Sequence, residues 1–531
     1  MTDDQHHATQ FEREIRMPHT PLRRMSLILA FTLLLAPLGA ALAQSSGGTL
    51  RVAINSDPSN LDPHRSTAFI TRVVLGSVVE GLFNLDENYQ PIPELATGFE
   101  ASDDRLTYTI SLRDDVVFHD GSVMTSADVV ASLTRWLALS TPGRNLSPDI
   151  TGFEAIDDHT VQFTFSRPIG ALLISALAFS YQAPAILPAA FVEALDEAEV
   201  IRQPIGTGPY KIASIQSGNQ VRLERHDDYA ARDEDPIGMG GGKTAYLDAV
   251  VLFVTPEAAV RASGLEAGDF DFALGLPSDG LPRFSANPNL TLYTPYQGSL
   301  DIALNSSEGM FTDLRLRQAF VAALDMDTMM LAAFGDPSLY RIDGGLWPQE
   351  TAWWTDAGTD PYNQKDVERA RQLVEEAGYD GSPIRWMTTR ENQGYYETAV
   401  VASQLLQQAG FMVELEVVDF ATILSRRRDA SVWDVFQTGF SIQPDPTQYL
   451  VFDCNWPAFW CDAEKDRLVE ELGVDRDFDE RYAIWEELQS YYWEFHPAVK
   501  VGDYFNLYGS SNRVNGYASL NQVFWYNVWL D

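Results

Sequence analysis

From Gly298 to Pro497 the chain switches repeatedly between two hydrophobic periods, and this alternation restricts its fold more than any other feature. Leu300 to Asn305 reads as a strand, and Asp313 caps a helix that continues to Phe334. A helix over 364–377 buries Val367, Ala370, Leu373, Val374 and Ala377 and stops near Gly378. Ile384 to Thr388 is a strand, 395–409 a helix ended by Gly410, and Met412 to Val418 a strand. Strand, helix and strand in this order predict βαβ-like units, hence a sheet with helices against its faces. A last long helix, 477–495, ends before Pro497, and an aromatic stretch from Phe524 to Trp529 closes the chain.

The first half is less regular. Thr49 to Ile54 reads as a strand entering a turn-rich loop, Asn55 to Pro63. Segment 105–118 alternates as a strand through Leu106, Tyr108, Ile110 and Leu112, and Val161 to Phe165 does the same. Ser126 caps a helix through Leu139, with Val129, Val130, Leu133 and Trp136 on one face. Segment 232–244 is a polar, Gly-rich loop, and no internal repeat is visible. A chain of 531 residues exceeds what one core organises. The expected architecture is therefore two α/β lobes, the second inserted into the first, with a ligand cleft between them.

Residues 1–43 read as a targeting segment. Leu22-Arg23-Arg24 ends a basic stretch, Ser26 to Leu38 is almost unbroken apolar sequence, and Ala41-Leu42-Ala43 supplies a small-x-small cleavage site before Gln44. The apolar run falls short of the ~20 residues a bilayer span needs. No cysteine stands at the cleavage site, so a lipid anchor is not expected. The mature chain is expected in a periplasm. Its two cysteines, Cys454 and Cys461, read as a disulfide that contributes roughly 2.5 kcal/mol by closing a short loop. The rival reading, a metal pair, has no closer histidine than His496.

Charge excludes one class of partner. Against 75 acidic residues stand 37 basic ones, only five of them lysine, for a formal charge of −38. Nucleic-acid binding draws on Lys/Arg clusters that this chain lacks. The acidity reads as a solvated surface. Catalytic signatures are equally wanting. Gly240-Gly241-Gly242-Lys243-Thr244 has Ile237 where a phosphate loop requires glycine, so it reads as a surface loop. Gly206-Thr207-Gly208-Pro209 misses a dinucleotide fingerprint because proline follows where a helix should open. His64, His119, His159, His226 and His496 are scattered singly, and each reads as a surface or structural histidine. No enzyme activity, metal or cofactor is expected.

A series of ordered motifs carries a resemblance. They are Gly48-Thr49-Leu50-Arg51-Val52, Leu61-Asp62-Pro63, Glu80-Gly81-Leu82, Val117-Phe118-His119-Asp120-Gly121, Thr125-Ser126-Ala127-Asp128-Val129, Pro204-Ile205-Gly206-Thr207-Gly208-Pro209-Tyr210 and Phe311 to Ala319. Together they make the chain similar, from about residue 48 onward, to the family 5 extracellular solute-binding proteins, the dipeptide, oligopeptide and nickel receptor type of ABC importers. The resemblance implies a two-lobed receptor, 44–297 with 508–531 against 298–507, that closes on a ligand and docks on a permease and its ATPase. A monomer is expected.

The resemblance also implies site residues. Peptide receptors of this type hold the ligand's α-ammonium with an aspartate, and in Gly439-Phe440-Ser441-Ile442-Gln443-Pro444-Asp445-Pro446 that place holds Gln443. Asp445 is the substitute if the loop shifts. Arg390 falls near a carboxylate-binding position, with pairing to Glu391 or Glu397 as its alternative. Phe440, Trp433, Tyr395 and Tyr396 are candidate apolar walls, and the loop Ser56 to Asn60 is the candidate contact from the first lobe. The leading expectation is a peptide or peptide-like ligand, ahead of an opine, a glycoside or a nickel complex. A secreted hydrolase and a periplasmic sensor or chaperone are the readings from other classes.

Overall fold

The computed structural model describes residues 46–58, 60–178, 182–196, 199–518 and 520–531; the targeting segment and cleavage site expected within residues 1–44 lie outside them. At the centre of a seven-stranded sheet, Thr49–Ile54 runs parallel to Ala249–Val254 on one side and to Phe272–Ala273 on the other. Leu50, Val52, Ala53 and Ile54 are all buried, as expected of a parallel strand covered on both faces. Gln220–Arg225 and Tyr210–Gln216 extend the sheet antiparallel on the first side. Tyr508–Ser511 and Leu290–Tyr293 extend it on the second. The sheet is thus completed by a strand from near the end of the chain.

The alternating region forms a six-stranded sheet in the order Tyr340–Arg341, Ala498–Phe505, Tyr296–Leu304, Val435–Phe440, Ile384–Thr388, Val413–Val417. The chain passes between the two sheets twice, at Thr294–Pro295 and at Asn506–Leu507. These crossings touch: the Asn506 amide donates to Pro295 O at 3.0 Å, and its side chain to the Tyr508 hydroxyl at 3.0 Å. The fold is two-lobed, with the second α/β lobe inserted into the first. A four-stranded antiparallel sheet, Ala96–Ala101, Thr107–Leu112, Thr160–Phe165 and Ile150–Asp157, adds a further layer. The helix Ser126–Leu139 packs on it through Val129, Leu133 and Trp136.

Several sequence expectations shift for local reasons. The cap of Ser126–Leu139 is Thr125, whose amide donates to Asp128 at 2.8 Å. The helix expected from Asp313 to Phe334 is two, Leu314–Ala323 and Met326–Phe334. Asp325 restarts it by accepting the Thr328 amide at 3.2 Å and the Thr328 hydroxyl at 2.8 Å. The strand expected over 105–118 spans only Thr107–Leu112. Val435–Phe440 escaped the alternation rule because it lies at the sheet's interior, with its first four residues buried.

The Gly-rich loop is the largest correction. Lys243 is not on a surface loop but 2% exposed, with Nζ 2.9 Å from Glu80 and 3.0 Å from Glu94, both buried. The two cysteines are bonded, which removes the metal-pair reading. Intact-mass measurement of the non-reduced chain should fall two hydrogens below the reduced mass (about 2 Da), and full thiol labelling without reductant would contradict it. No helix among the described residues is long and apolar enough to cross a membrane.

Candidate functional site

Strand directions bring two sheet edges together. Leu290–Tyr293 ends, and Tyr508–Ser511 begins, at the edge where the parallel strands Thr49–Ile54 and Phe272–Ala273 end. In the second sheet Tyr296 opposes Phe505, Ser299 opposes Phe440, and Ile384–Thr388 runs parallel to Val435–Phe440. Both crossings therefore join the carboxyl edges of the two sheets. In open α/β sheets ligands bind beyond such edges, where connections diverge. Ser56 lies two residues past the first edge. Arg390, Phe440 and Gln443 lie at or just past the second.

A cavity of about 620 Å³ is lined from both halves of the chain, by Asn145, Leu146, Leu172 and Gln182 on one side and by Gln443, Thr447, Gln448 and Val469 on the other. Its volume suits a ligand of several residues or rings. One wall is the turn after Val435–Phe440. The indole N–H of Trp347 donates to Gln443 O at 3.0 Å, and that of Trp353 to Pro444 O at 3.1 Å. Arg481 completes the clamp: its Nη2 meets Asp445 Oδ2 at 2.7 Å, its Nε donates to Leu472 O at 2.9 Å, and its guanidinium lies 5.0 Å from the Trp353 ring centroid. These polar contacts come from Trp347, Trp353 and Arg481, while the turn's Ile442 packs into the hydrophobic cluster of the first half of the chain.

This clamp removes Asp445 as an ammonium anchor. The carboxylate is fully buried, with one oxygen on Arg481 and the other accepting the Thr447 amide at 3.0 Å and hydroxyl at 2.6 Å. The Gln443 side chain has no hydrogen bond among the described residues and lines the cavity. Trp433 is not a wall: it precedes Val435–Phe440, at the opposite end from the carboxyl edge, fully buried and donating to Arg427 O at 3.1 Å. Tyr395 is likewise buried, beneath the sheet. A Cβ on Gly439 would lie 3.0 Å from its hydroxyl and 2.7 Å from Ser299 O, which is why glycine stands there. Phe440 is half-buried, its ring 4.6 Å from Tyr449 and 5.5 Å from Trp456.

Arg390 is exposed with its guanidinium 3.4 Å from the Tyr396 ring centroid. It pairs with neither Glu391 nor Glu397; Glu391 instead accepts the Phe420 amide at 3.0 Å. Ser56 is half-buried beside Asn55. Asn60 is spent on its own loop, accepting the Asp62 amide at 3.2 Å. Behind that loop Arg135 forks onto Asp62 at 2.9 and 2.6 Å and donates to His64 Nδ1 at 3.0 Å. Burial holds the His64 imidazole down at about 4, so it is neutral there.

Beneath the second edge lies a buried charge network. Lys500 meets Asp503 at 2.7 Å, and Arg341 bridges Asp503 at 2.7 Å and Glu350 at 2.8 Å. Asp301 accepts the Ser299 hydroxyl at 2.5 Å on one oxygen, while the other has no hydrogen bond. Burial pushes its carboxyl up to about 7 against the pull of Ser299 and Lys500. A carboxyl raised on folding binds its proton more tightly in the folded state, so stability declines as pH climbs between about 4 and about 7. Asp301→Asn removes that titration. Relative to the parent, the variant's melting temperature should rise from about pH 5 to about pH 8; a constant difference would contradict the assignment.

Sequence reading missed Asn145, Gln182, Gln448 and Arg481, for which no motif exists. It also treated the histidines as isolated, whereas the His119 and His226 rings pack edge-on 4.9 Å apart. Both point a ring nitrogen at Gly208 O, at 2.9 and 3.3 Å. The stretch Gly206 to Tyr210 is thus a packing device: Gly208 and Tyr210 donate to Val78 and Ser77, and Thr207 donates to Glu80.

Comparisons with known proteins bear on the family and the fold. The profile of the bacterial extracellular solute-binding proteins, family 5 Middle, matches residues 90–455. The chain is 31% identical over 488 residues to a probable peptide ABC transporter periplasmic-binding protein, y4tO, of Sinorhizobium fredii, covering 88% of this chain and 90% of that one. Its fold is similar to Helicobacter pylori DppA in complex with the peptide STSA, with TM-score 0.76, 22% identity, and 92% and 98% of the two chains covered. It is also similar to AgaA of A. tumefaciens R10 in complex with agropinic acid, with TM-score 0.74, 25% identity, and 91% and 99% covered.

Proposed function

The chain belongs to the bacterial extracellular solute-binding proteins of family 5, and on that premise we propose that it is the periplasmic receptor of an ABC importer. It captures a peptide or peptide-like solute between its lobes and delivers it to a membrane permease driven by an ATPase. The observation that carries this reading is the cavity lined from both halves of the chain, with Gln443, just past the carboxyl end of Val435–Phe440, in its wall. The lobes are 44–297 with 508–531, and 298–507. The crossings at 294–295 and 506–507 are the hinge, as lobe closure needs only a few residues that absorb the rotation. The protein works as a monomer, exported by residues 1–43 without a lipid anchor, and it binds rather than transforms its ligand. The Cys454–Cys461 bond fits an oxidising compartment.

Gln443 is the proposed contact within the cavity, and Arg390 and Phe440 from the second lobe and Ser56 from the first are proposed contacts outside its lining, at or past the carboxyl edges. The neutral side chain of Gln443 and the agropinic-acid complex of AgaA favour a second reading, in which the solute is not a peptide. Thermal unfolding of the chain from Gln44 onward, against di- to pentapeptides, opines, glycosides and nickel, tests both. A ligand at about 100 times its Kd adds about 2.7 kcal/mol. A shift with no member of the panel would contradict the receptor reading. Arg390→Ala should weaken a carboxylate ligand by about 2 kcal/mol or more; unchanged affinity would remove its role.

A further inference from the structure

We propose that the portion of the solute seated in the 620 Å³ cavity is uncharged: a group bearing amides or hydroxyls together with an aliphatic part, and not an ammonium. This rests on the receptor reading above. The cavity's apolar surface comes from Leu146, Leu172, Ala176 and Val469. Against it stand three carboxamides whose side chains have no hydrogen bond among the described residues, Asn145, Gln443 and Gln448. Unpartnered carboxamides along a cavity wall offer both donors and acceptors to a ligand.

Gln182 and the charged lining groups other than Glu470 are already engaged. Gln182 accepts the Thr141 amide at 2.8 Å and donates to Arg65 O at 3.1 Å. Asp445 is sealed against Arg481. Arg167 forks onto Asp149 at two distances of 2.8 Å, and Asp466 sits against Lys465. Glu470, the remaining ionised lining residue, is exposed at the rim. A carboxamide offers one acceptor oxygen and two donor hydrogens, which match carbonyl, N–H and hydroxyl groups. It carries no charge to offset a desolvated ammonium. Arg390 lies outside this lining, so an anionic group elsewhere on the solute is compatible with it.

Isothermal titration with matched probes tests the proposal: N-acetyl-trialanine, trialanine with its free amine, and chitobiose as the hydroxyl-bearing neutral probe. The parent chain should bind N-acetyl-trialanine or chitobiose at least about tenfold tighter than trialanine. Gln443→Asp should reverse the preference toward the free amine, and Gln448→Leu should weaken the neutral probe by about tenfold. Equal or tighter binding of trialanine by the parent would overturn the inference while leaving the receptor reading intact. Failure of both the parent and Gln443→Asp to bind any probe would count against the receptor reading itself, and the inference would fall with it.

Discussion

Replacing Lys243 by alanine should cost about 3–5 kcal/mol of stability, read as a fall in the urea midpoint with an unchanged slope. The ammonium lies between two buried carboxylates, Glu80 and Glu94. Burial opposes ionisation of Glu80, yet Lys243, with hydroxyl bonds from Thr207 at 2.9 Å and Tyr229 at 3.0 Å, holds it below the ordinary carboxylate range. Burial, with the charge of Glu80 beside it, instead pushes Glu94 up, and its second oxygen has no hydrogen bond among the described residues. Removing the lysine strands both acids in a dry site. The triple variant Lys243→Met, Glu80→Gln, Glu94→Gln should recover most of the loss, since an apolar or neutral replacement of the whole cluster removes the desolvation cost. A loss below about 1 kcal/mol for Lys243→Ala would show the cluster to be solvated.

The same cluster shows why the sequence hid part of the fold. Gly240-Gly241-Gly242-Lys243 has the composition of a loop, and it is one. What composition does not carry is that Glu80 and Glu94, about 150–160 residues earlier, converge on that lysine. The scarcity of lysine, five in 531 residues, was the available clue. By contrast, periodicity located Thr49–Ile54, Ile384–Thr388 and the helices near 367–377 and 478–495, because each buries a single face or a continuous run against one sheet.

Arg481→Ala should also cost about 3–5 kcal/mol, because it leaves Asp445 charged and fully enclosed. Arg481→Lys should recover only part of this. A lysine keeps the charge but cannot reach Asp445 and Leu472 O together through a planar fork. Adding Asp445→Asn to Arg481→Ala should restore stability toward the parent, since the pair rather than either residue carries the effect. No rescue in the double variant would mean that Arg481 acts through its packing on Trp353.

For the candidate site the sequence offered only the resemblance, which named Gln443, Phe440 and Arg390; these lie at or just past the carboxyl edge of the second sheet. Asp445 and Trp433 look equivalent to them in sequence. Only three-dimensional packing distinguishes a carboxylate aimed at Arg481, or an indole below the sheet, from one facing a cleft. Gln448 and Asn145 come from segments without any motif and meet only when both lobes are assembled.

Small-angle X-ray scattering of the mature chain, with and without a saturating ligand from the unfolding screen, tests the central claim most directly. If the solute binds between the two carboxyl edges and the lobes rotate about the crossings at 294–295 and 506–507, the radius of gyration should shrink on saturation. An identical scattering profile with the ligand demonstrably bound would contradict closure about that hinge.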